Sequence, residues 1–190
     1  MRNDEKTSHI PIIILSGKAT LEDKLIGLET GIEAYLTKPF SVKELQIIIN
    51  NLIQQREQFR KKYQNKFVVS TDEIPLASVD QQFLEKAIQQ INDNLESTNL
   101  SVEMLADKLC LSPSQLNRKL KALIDQAPGQ LIRNIRLQRA AELIKLNAGS
   151  LADICFQTGF SDQTYFSRAF KNQFGCSPSA YKKDNASRLS

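Results

Sequence analysis

The side chains in this sequence best suited to act on a partner are hydrogen-bond donors, and they recur. Ser114, Gln115, Asn117, Arg118 and Lys121 form one group and Gln163, Thr164, Ser167, Arg168 and Lys171 a second, with Arg118 pairing with Arg168 and Lys121 with Lys171 at an offset of 50. Arg can give two donors to guanine O6 and N7, and Asn or Gln can pair with adenine N6 and N7. Lys is better suited to phosphate, which positions a protein on DNA without specifying sequence. Nucleophilic and metal chemistry has far less to draw on. The chain has one His (His9) and three Cys (Cys110, Cys155, Cys176), all far apart. A zinc site needs a cluster of such ligands. A Ser–His or Cys–His pair would rest on His9, in a polar N-terminal stretch. No catalytic residue, metal or cofactor is expected, and the composition argues against most enzymes.

Two similar units must position the donor groups. Leu105-Ala106 through Leu111-Ser112 align with Ile154-Cys155 through Phe160-Ser161 at an offset of 49; beyond the turn the offset is 50, pairing Leu116 with Phe166 and Leu120 with Phe170. Ser101 caps a short helix with Val102, Leu105, Ala106 and Leu109 inward. Ser112-Pro113 then starts a helix whose core face is Leu116, Leu120 and Leu123. Two short helices joined by a tight turn make a helix-turn-helix, whose second helix enters a major groove. Phe83, Leu84, Ala87, Ile88, Ile91 and Leu95 mark an amphipathic helix before the first unit. Pro128-Gly129 opens a long connecting helix carrying Leu131, Ile132, Ile135, Leu137, Ala140, Ala141, Leu143 and Ile144. Ser177-Pro178 opens a closing helix with Tyr181. Gly159 suits a left-handed turn, and Phe160, Phe166 and Phe170 a core. Cys110 and Cys155 read as small buried hydrophobes. One of Arg133, Arg136 and Arg139 is expected to pair with Asp153, phosphate contact being the competing reading.

Charge follows the same division. The 190 residues carry 25 Lys+Arg against 21 Asp+Glu and are 41% hydrophobic, enough to bury a core and not a disordered polyelectrolyte. Residues 1–79 hold 11 basic and 10 acidic side chains, residues 80–111 hold 2 and 6, and the remainder hold 12 and 5. The basic C-terminal part suggests a polyanionic partner. An odd number of Cys, no signal-peptide pattern and no apolar run near the roughly 20 residues of a membrane span point to a cytoplasmic protein without membrane contact.

The first segment reads as α/β. Ile10 to Leu15 has the pattern of a strand buried on both faces, and Leu21, Leu25, Ile26 and Leu28 mark a helix stopping at Gly31. Ala34-Tyr35-Leu36-Thr37 is a second strand, ended by Lys38-Pro39-Phe40. Ser41-Val42-Lys43-Glu44 is a capping box opening a helix with Leu45, Ile48, Ile49 and Leu52 inward. Arg56, Arg60, Lys61, Lys62 and Lys66 read as the solvated end of that helix and a linker. Phe67 to Val79 reads as an extended connector. This order resembles the last two β/α units of a response-regulator receiver domain. The resemblance implies that Ser16 bonds an aspartyl phosphate, that Lys38 pairs with it, and that Tyr35 changes rotamer on activation. It also makes Lys38–Pro39 a candidate cis peptide. The acidic metal-binding residues and the phosphoacceptor Asp of a receiver have no counterpart here, and Asp4 and Glu5 do not stand in for them. The segment is therefore expected to be a fragment that cannot be phosphorylated and that exposes an apolar edge.

The second half resembles the AraC/XylS-type DNA-binding domain, most specifically from Gly159-Phe160-Ser161-Asp162-Gln163-Thr164-Tyr165-Phe166 through Ser167-Arg168-Ala169-Phe170-Lys171, then Gly175, Pro178 and Tyr181. The family's base-contacting positions match Ser114, Asn117, Arg118, Gln163, Thr164, Ser167 and Arg168. The whole order resembles the C-terminal end of a Bacteroidetes hybrid two-component regulator, a family in which one chain also carries a sensor and a histidine kinase. The expected architecture is mainly α: residues 1–55 a partial receiver-like α/β segment of a doubly wound sheet, 56–79 a linker, 80–183 an all-α domain with two helix-turn-helix units, and 184–190 a tail. The expected function is a sequence-specific transcriptional regulator reading two adjacent major grooves. The expected partner is double-stranded DNA, with RNA polymerase and a second copy of the chain as further candidates. The rivals are a self-association module built on the receiver remnant and an enzyme using Lys38. The latter lacks a phosphate-binding Gly-rich loop and an acidic pocket.

Overall fold

The computed structural model describes Ser8, residues 10–17, 32–65 and 79–186. His9, the helix expected near residues 21–31 and the connector over 67–78 lie outside the described residues. The described chain is mainly helical. Strands β1 (Ile13–Ser16) and β2 (Ala34–Thr37) are followed by helices α1 (Val42–Asn65), α2 (Val79–Asn92), α3 (Val102–Lys108), α4 (Pro113–Ile124), α5 (Pro128–Lys145), α6 (Leu151–Gln157), α7 (Gln163–Phe174) and α8 (Pro178–Ala186). The chain falls into two compact units, one of residues 1–84 with 118–125 and one of residues 85–117 with 126–190.

In the first unit, β1 and β2 pair in parallel, with Ile13 opposite Ala34 and Ser16 opposite Thr37. The ladder is extended by Glu33 N–H to the Ile12 carbonyl at 3.1 Å and by Lys38 N–H to the Ser16 carbonyl at 2.7 Å. The Lys38–Pro39 peptide is cis. β1 is shorter than expected and is not buried on both faces: Ile10 precedes it, and Ile10 and Leu15 are exposed. Two described strands have too little area to cover what an inner strand would. α1 starts at Ser41, whose Oγ accepts from Glu44 N–H at 3.0 Å. Leu45, Ile48 and Leu52 are half-buried, whereas Ile49, expected to face inward, is exposed together with Val42 and Ile53. α1 also runs on to Asn65, so residues 56–65, read as linker, continue the helix. Its Arg60 Nε donates to the Ala122 carbonyl at 3.1 Å.

The same unit buries a cation. Lys119 is 1% exposed. Its Nζ donates to Ser8 Oγ at 3.1 Å and lies 3.9 Å from Asp80 Oδ1, while Ser8 Oγ donates to the same carboxylate oxygen at 2.7 Å.

In the second unit, the core joins Leu137, Ala140, Ala141 and Ile144 of α5 to Ile154 and Cys155 of α6 and to Phe160, Phe166 and Phe170. The rings run on as a chain, Phe166 to Phe170 at 5.8 Å and Phe170 to Tyr181 of α8 at 5.4 Å between centroids. Each short helix is capped by its own side chains. Ser101 Oγ accepts from Met104 N–H, Ser150 and Asp153 form a full capping box, and Asp162 accepts from Tyr165 N–H. At α4 the box is Ser112 with Gln115, each side chain bonded to the other's backbone N–H.

The two turns share one hydrogen-bond pattern. After α3, Leu111 N–H bonds the Ala106 carbonyl at 3.0 Å and Cys110 N–H the Asp107 carbonyl at 3.0 Å; after α6, Phe160 bonds Cys155 at 3.1 Å and Gly159 bonds Phe156 at 2.9 Å. This six-to-one closure needs a left-handed residue before its end. Gly159 supplies it with φ 76° and Cys110 with φ 54°. Cys110 is therefore exposed, not packed as expected, because the turn aims its side chain outward while Leu109 and Leu111 take the buried places. Cys155 is buried as expected, and Cys176 is half-buried.

Candidate nucleic-acid interface

Burying one stripe of a helix exposes its opposite face. On α4, Leu116, Leu120 and Leu123 are buried, and Ser114, Asn117, Arg118 and Lys121 are exposed. On α7, Phe166 and Phe170 are buried, and Gln163, Thr164, Ser167, Arg168 and Lys171 are exposed. Ser114, Asn117, Arg118 and Lys121 follow i, i+3, i+4, i+7 spacing, as do Thr164, Ser167, Arg168 and Lys171, so each set lies on one helix face.

Two of the expected readers are already engaged. Gln115 is half-buried with its Oε1 accepting from Ser112 N–H at 2.9 Å, so it closes the α4 cap. Lys121 Nζ lies 3.5 Å from Asp125 Oδ1, an exposed i, i+4 pair that leaves it able to exchange partners. Arg168 is stacked near the Tyr165 ring, 5.8 Å from its centroid. Ser16 closes β1, Tyr35 sits half-buried in β2, and Lys38 is exposed just beyond β2.

The connecting helix resolves an ambiguity. Asp153 pairs with none of the α5 arginines; Ser150 N–H and Oγ bond its Oδ2 at 3.1 and 2.6 Å. These bonds hold its carboxyl below the usual Asp range, the hydroxyl contributing most. Arg139 Nη1 pairs with Glu142 Oε2 at 2.8 Å on the surface. Arg136 Nη2 donates to the Ser97 carbonyl at 2.6 Å, and burial lowers its pKa from the ordinary guanidinium value. Arg133 Nη1 reaches Tyr165 Oη at 3.5 Å. The sequence reading did not separate these three, and Lys119 escaped it altogether. The corresponding position in the second unit is Ala169, so the repeat carried no signal for a buried cation.

Among the described residues no group of His, Cys, Asp and Glu could hold a metal ion, and no helix is long and apolar enough to cross a membrane.

A family model described as a helix-turn-helix domain matches residues 105–184, from inside α3 into α8. The C-terminal domain of AraT, a response regulator from Geobacillus stearothermophilus, is 31% identical with TM-score 0.50, over 54% of this chain and 84% of that one. The DNA-binding domain of AdpA, a global transcriptional factor solved in complex with a target DNA, is 25% identical with TM-score 0.52, over 55% of this chain and 94% of that one. Residues 105–184 are a helix-turn-helix domain with the fold of an AraC-type DNA-binding regulator from Chromobacterium violaceum, 27% identical with TM-score 0.53 over 58% of this chain and 97% of that one. The AraC-type match covers both turns and both exposed helix faces. Similarity also extends beyond it: "Histidine kinase P4" of Formosa agariphila is 36% identical over 182 residues, 96% of this chain but 13% of the kinase. The chain thus spans about an eighth of that relative's length. In chemical terms the AraC-type domain offers two helix faces of amide, hydroxyl and guanidinium donors, the groups that read base edges and phosphates.

Proposed function

We propose that this chain is the DNA-reading output part of a hybrid two-component signalling protein. In this reading α4 and α7 enter two adjacent major grooves, about 34 Å or one turn apart. Ser114, Asn117, Arg118, Thr164, Ser167 and Arg168 contact bases, with Gln163 at the α7 N-terminus beside them. Lys121 and Lys171 contact phosphates. The observation that carries it is the repetition of one exposed donor face, at residues 114, 117, 118 and 121 and again at 164, 167, 168 and 171. The histidine-kinase relative supports the signalling assignment, because its similarity runs over 182 of the 190 residues and so takes in most of the segment before the reader. So does the parallel pair of strands that brings Ser16 next to the backbone of Lys38. Residues 1–55 then derive from a receiver, 80–183 form the reader, and the phosphoacceptor belongs to another part of the signalling protein. RNA polymerase and a second copy of the chain are the further partners of such a regulator, which works in the cytoplasm.

Selection of bound duplexes from a random-sequence library by the purified chain tests this directly. The expected result is two short boxes about one helical turn apart, one blurred by Arg118→Ala and the other by Arg168→Ala. Sequence-blind, salt-sensitive binding would reject specific reading by this chain alone, and no binding would reject the function.

A further inference from the structure

A groove of about 370 Å3 lies between α5 and α7, and Gln130, Arg133, Asn134, Arg168 and Asn172 line it with no carboxylate among its walls. It holds two guanidinium groups, and both approach one neutral side chain, Tyr165. Arg133 Nη1 meets Tyr165 Oη at 3.5 Å, the outer limit of a hydrogen bond, and the Arg168 guanidinium lies 5.8 Å from the centre of the Tyr165 ring. A phenol cannot neutralise either cation, and two like charges lining one cavity favour an anion between them. The other α5 arginines are engaged elsewhere, Arg139 with Glu142 and Arg136 with the Ser97 carbonyl.

Resting on the functional reading above, we infer that Arg133 is a further DNA-contacting residue, which takes a backbone phosphate of duplex DNA in the α5–α7 groove beside Arg168 and so sets where α7 meets its base pairs. Guanidinium suits this because its planar donor fork matches two phosphate oxygens at once. A phosphate of DNA fits better than a free anion because Arg168, which lines the groove, also belongs to the exposed face of Thr164, Ser167 and Lys171, a strip of donors along α7. A strip of donors matches a chain of phosphates. Arg133 is a positioning residue in this account; Arg168 remains the base reader.

The test compares the wild-type chain with Arg133→Ala, Arg133→Lys and Arg168→Ala, each titrated with its selected duplex and with a scrambled duplex across a salt series. Arg133→Ala should weaken both duplexes by the same factor, about tenfold, as loss of one charge-assisted bond implies. The slope of log affinity against log salt should become shallower by about 0.9, one phosphate's worth, with the selected sequence unchanged. Arg133→Lys should restore most of the slope, and Arg168→Ala should instead blur one box. Single neutral methylphosphonates placed along the duplex should reveal one position at which wild type and Arg133→Ala bind equally. An unchanged slope, a loss confined to one base position, or a Lys variant with the salt slope of the Ala variant would each overturn the inference. Failure of the wild-type chain to bind any duplex is a separate result and would overturn the functional reading with it.

Discussion

Lys119 Nζ sits 4.0 Å from the centre of the Phe83 ring, on a side chain 1% exposed to solvent. A buried ammonium is retained only where its lost hydration is replaced. Here the ring face, the Asp80 carboxylate and the Ser8 hydroxyl replace it. Lys119 belongs to the same helix as Arg118, so the contacts that hold it also hold the backbone presenting that proposed reader. Lys119→Met should lower stability by about 2–3 kcal/mol, because Asp80 then stays part-buried without its cation. Urea unfolding checks this, and a variant as stable as wild type would show that the three partners contribute no net stabilisation.

The two turns have the same bonding but different tolerance. At Gly159 an added Cβ would meet the Leu95 carbonyl and approach Arg136 Cζ at 2.8 Å, at a φ of 76°. Gly159→Ala should therefore cost about 3 kcal/mol or more, combining left-handed strain with a clash against backbone. Cys110 already bears a side chain in the left-handed region, at φ 54°, pointing to solvent. Cys110→Gly should leave stability unchanged or raise it by up to about 1 kcal/mol. Equal effects of the two substitutions in thermal unfolding would contradict the geometry.

Asp153 makes stability depend on acid. Its folded pKa is depressed by the Ser150 hydroxyl and backbone N–H. A depressed carboxyl contributes stability that is present above the unfolded Asp value and fades as pH falls through the lower folded one. Asp153→Asn should flatten that part of the acid limb while leaving the slope near neutral pH alone. Stability curves from pH 2 to 7, recorded for both proteins, would disagree with this account if they stayed parallel.

Two of the thiols, Cys110 and Cys155, should differ in reactivity. Burial, with a smaller contribution from the Asp162 charge, pushes the Cys155 thiol above its ordinary pKa, and Cys155 is enclosed in the second core. Cys110 is exposed on its turn. A brief pulse of alkylating reagent on the native chain should label Cys110 ahead of Cys155, as read by peptide mass spectrometry. Comparable labelling of both would mean that the core opens on the timescale of the pulse.

The helix pattern of the AraC-type domain was legible in the sequence because it is local. Periodic Leu, Ile and Phe mark the buried stripes of α4, α5 and α7, and Ser101, Ser112 and Ser150 mark helix starts within three residues of the groups they bond. The donor faces follow from the same periodicity, since whatever lies opposite the stripe is exposed. In the first segment the strand order was legible, but the extent of β1 and the exposure of Ile49 were not, since they depend on how much surface neighbouring elements cover.

What only the tertiary structure decided concerns single polar and small side chains whose partners are far along the chain. Lys119 looks like any surface lysine until Ser8, 111 residues away, meets it. Arg133, Arg136 and Arg139 share one helix and one spacing, yet a tyrosine, a distant carbonyl and a neighbouring glutamate give them three different roles. Periodicity assigns a face to a residue; which charge on that face stays available to a partner depends on long-range contacts that no local pattern encodes.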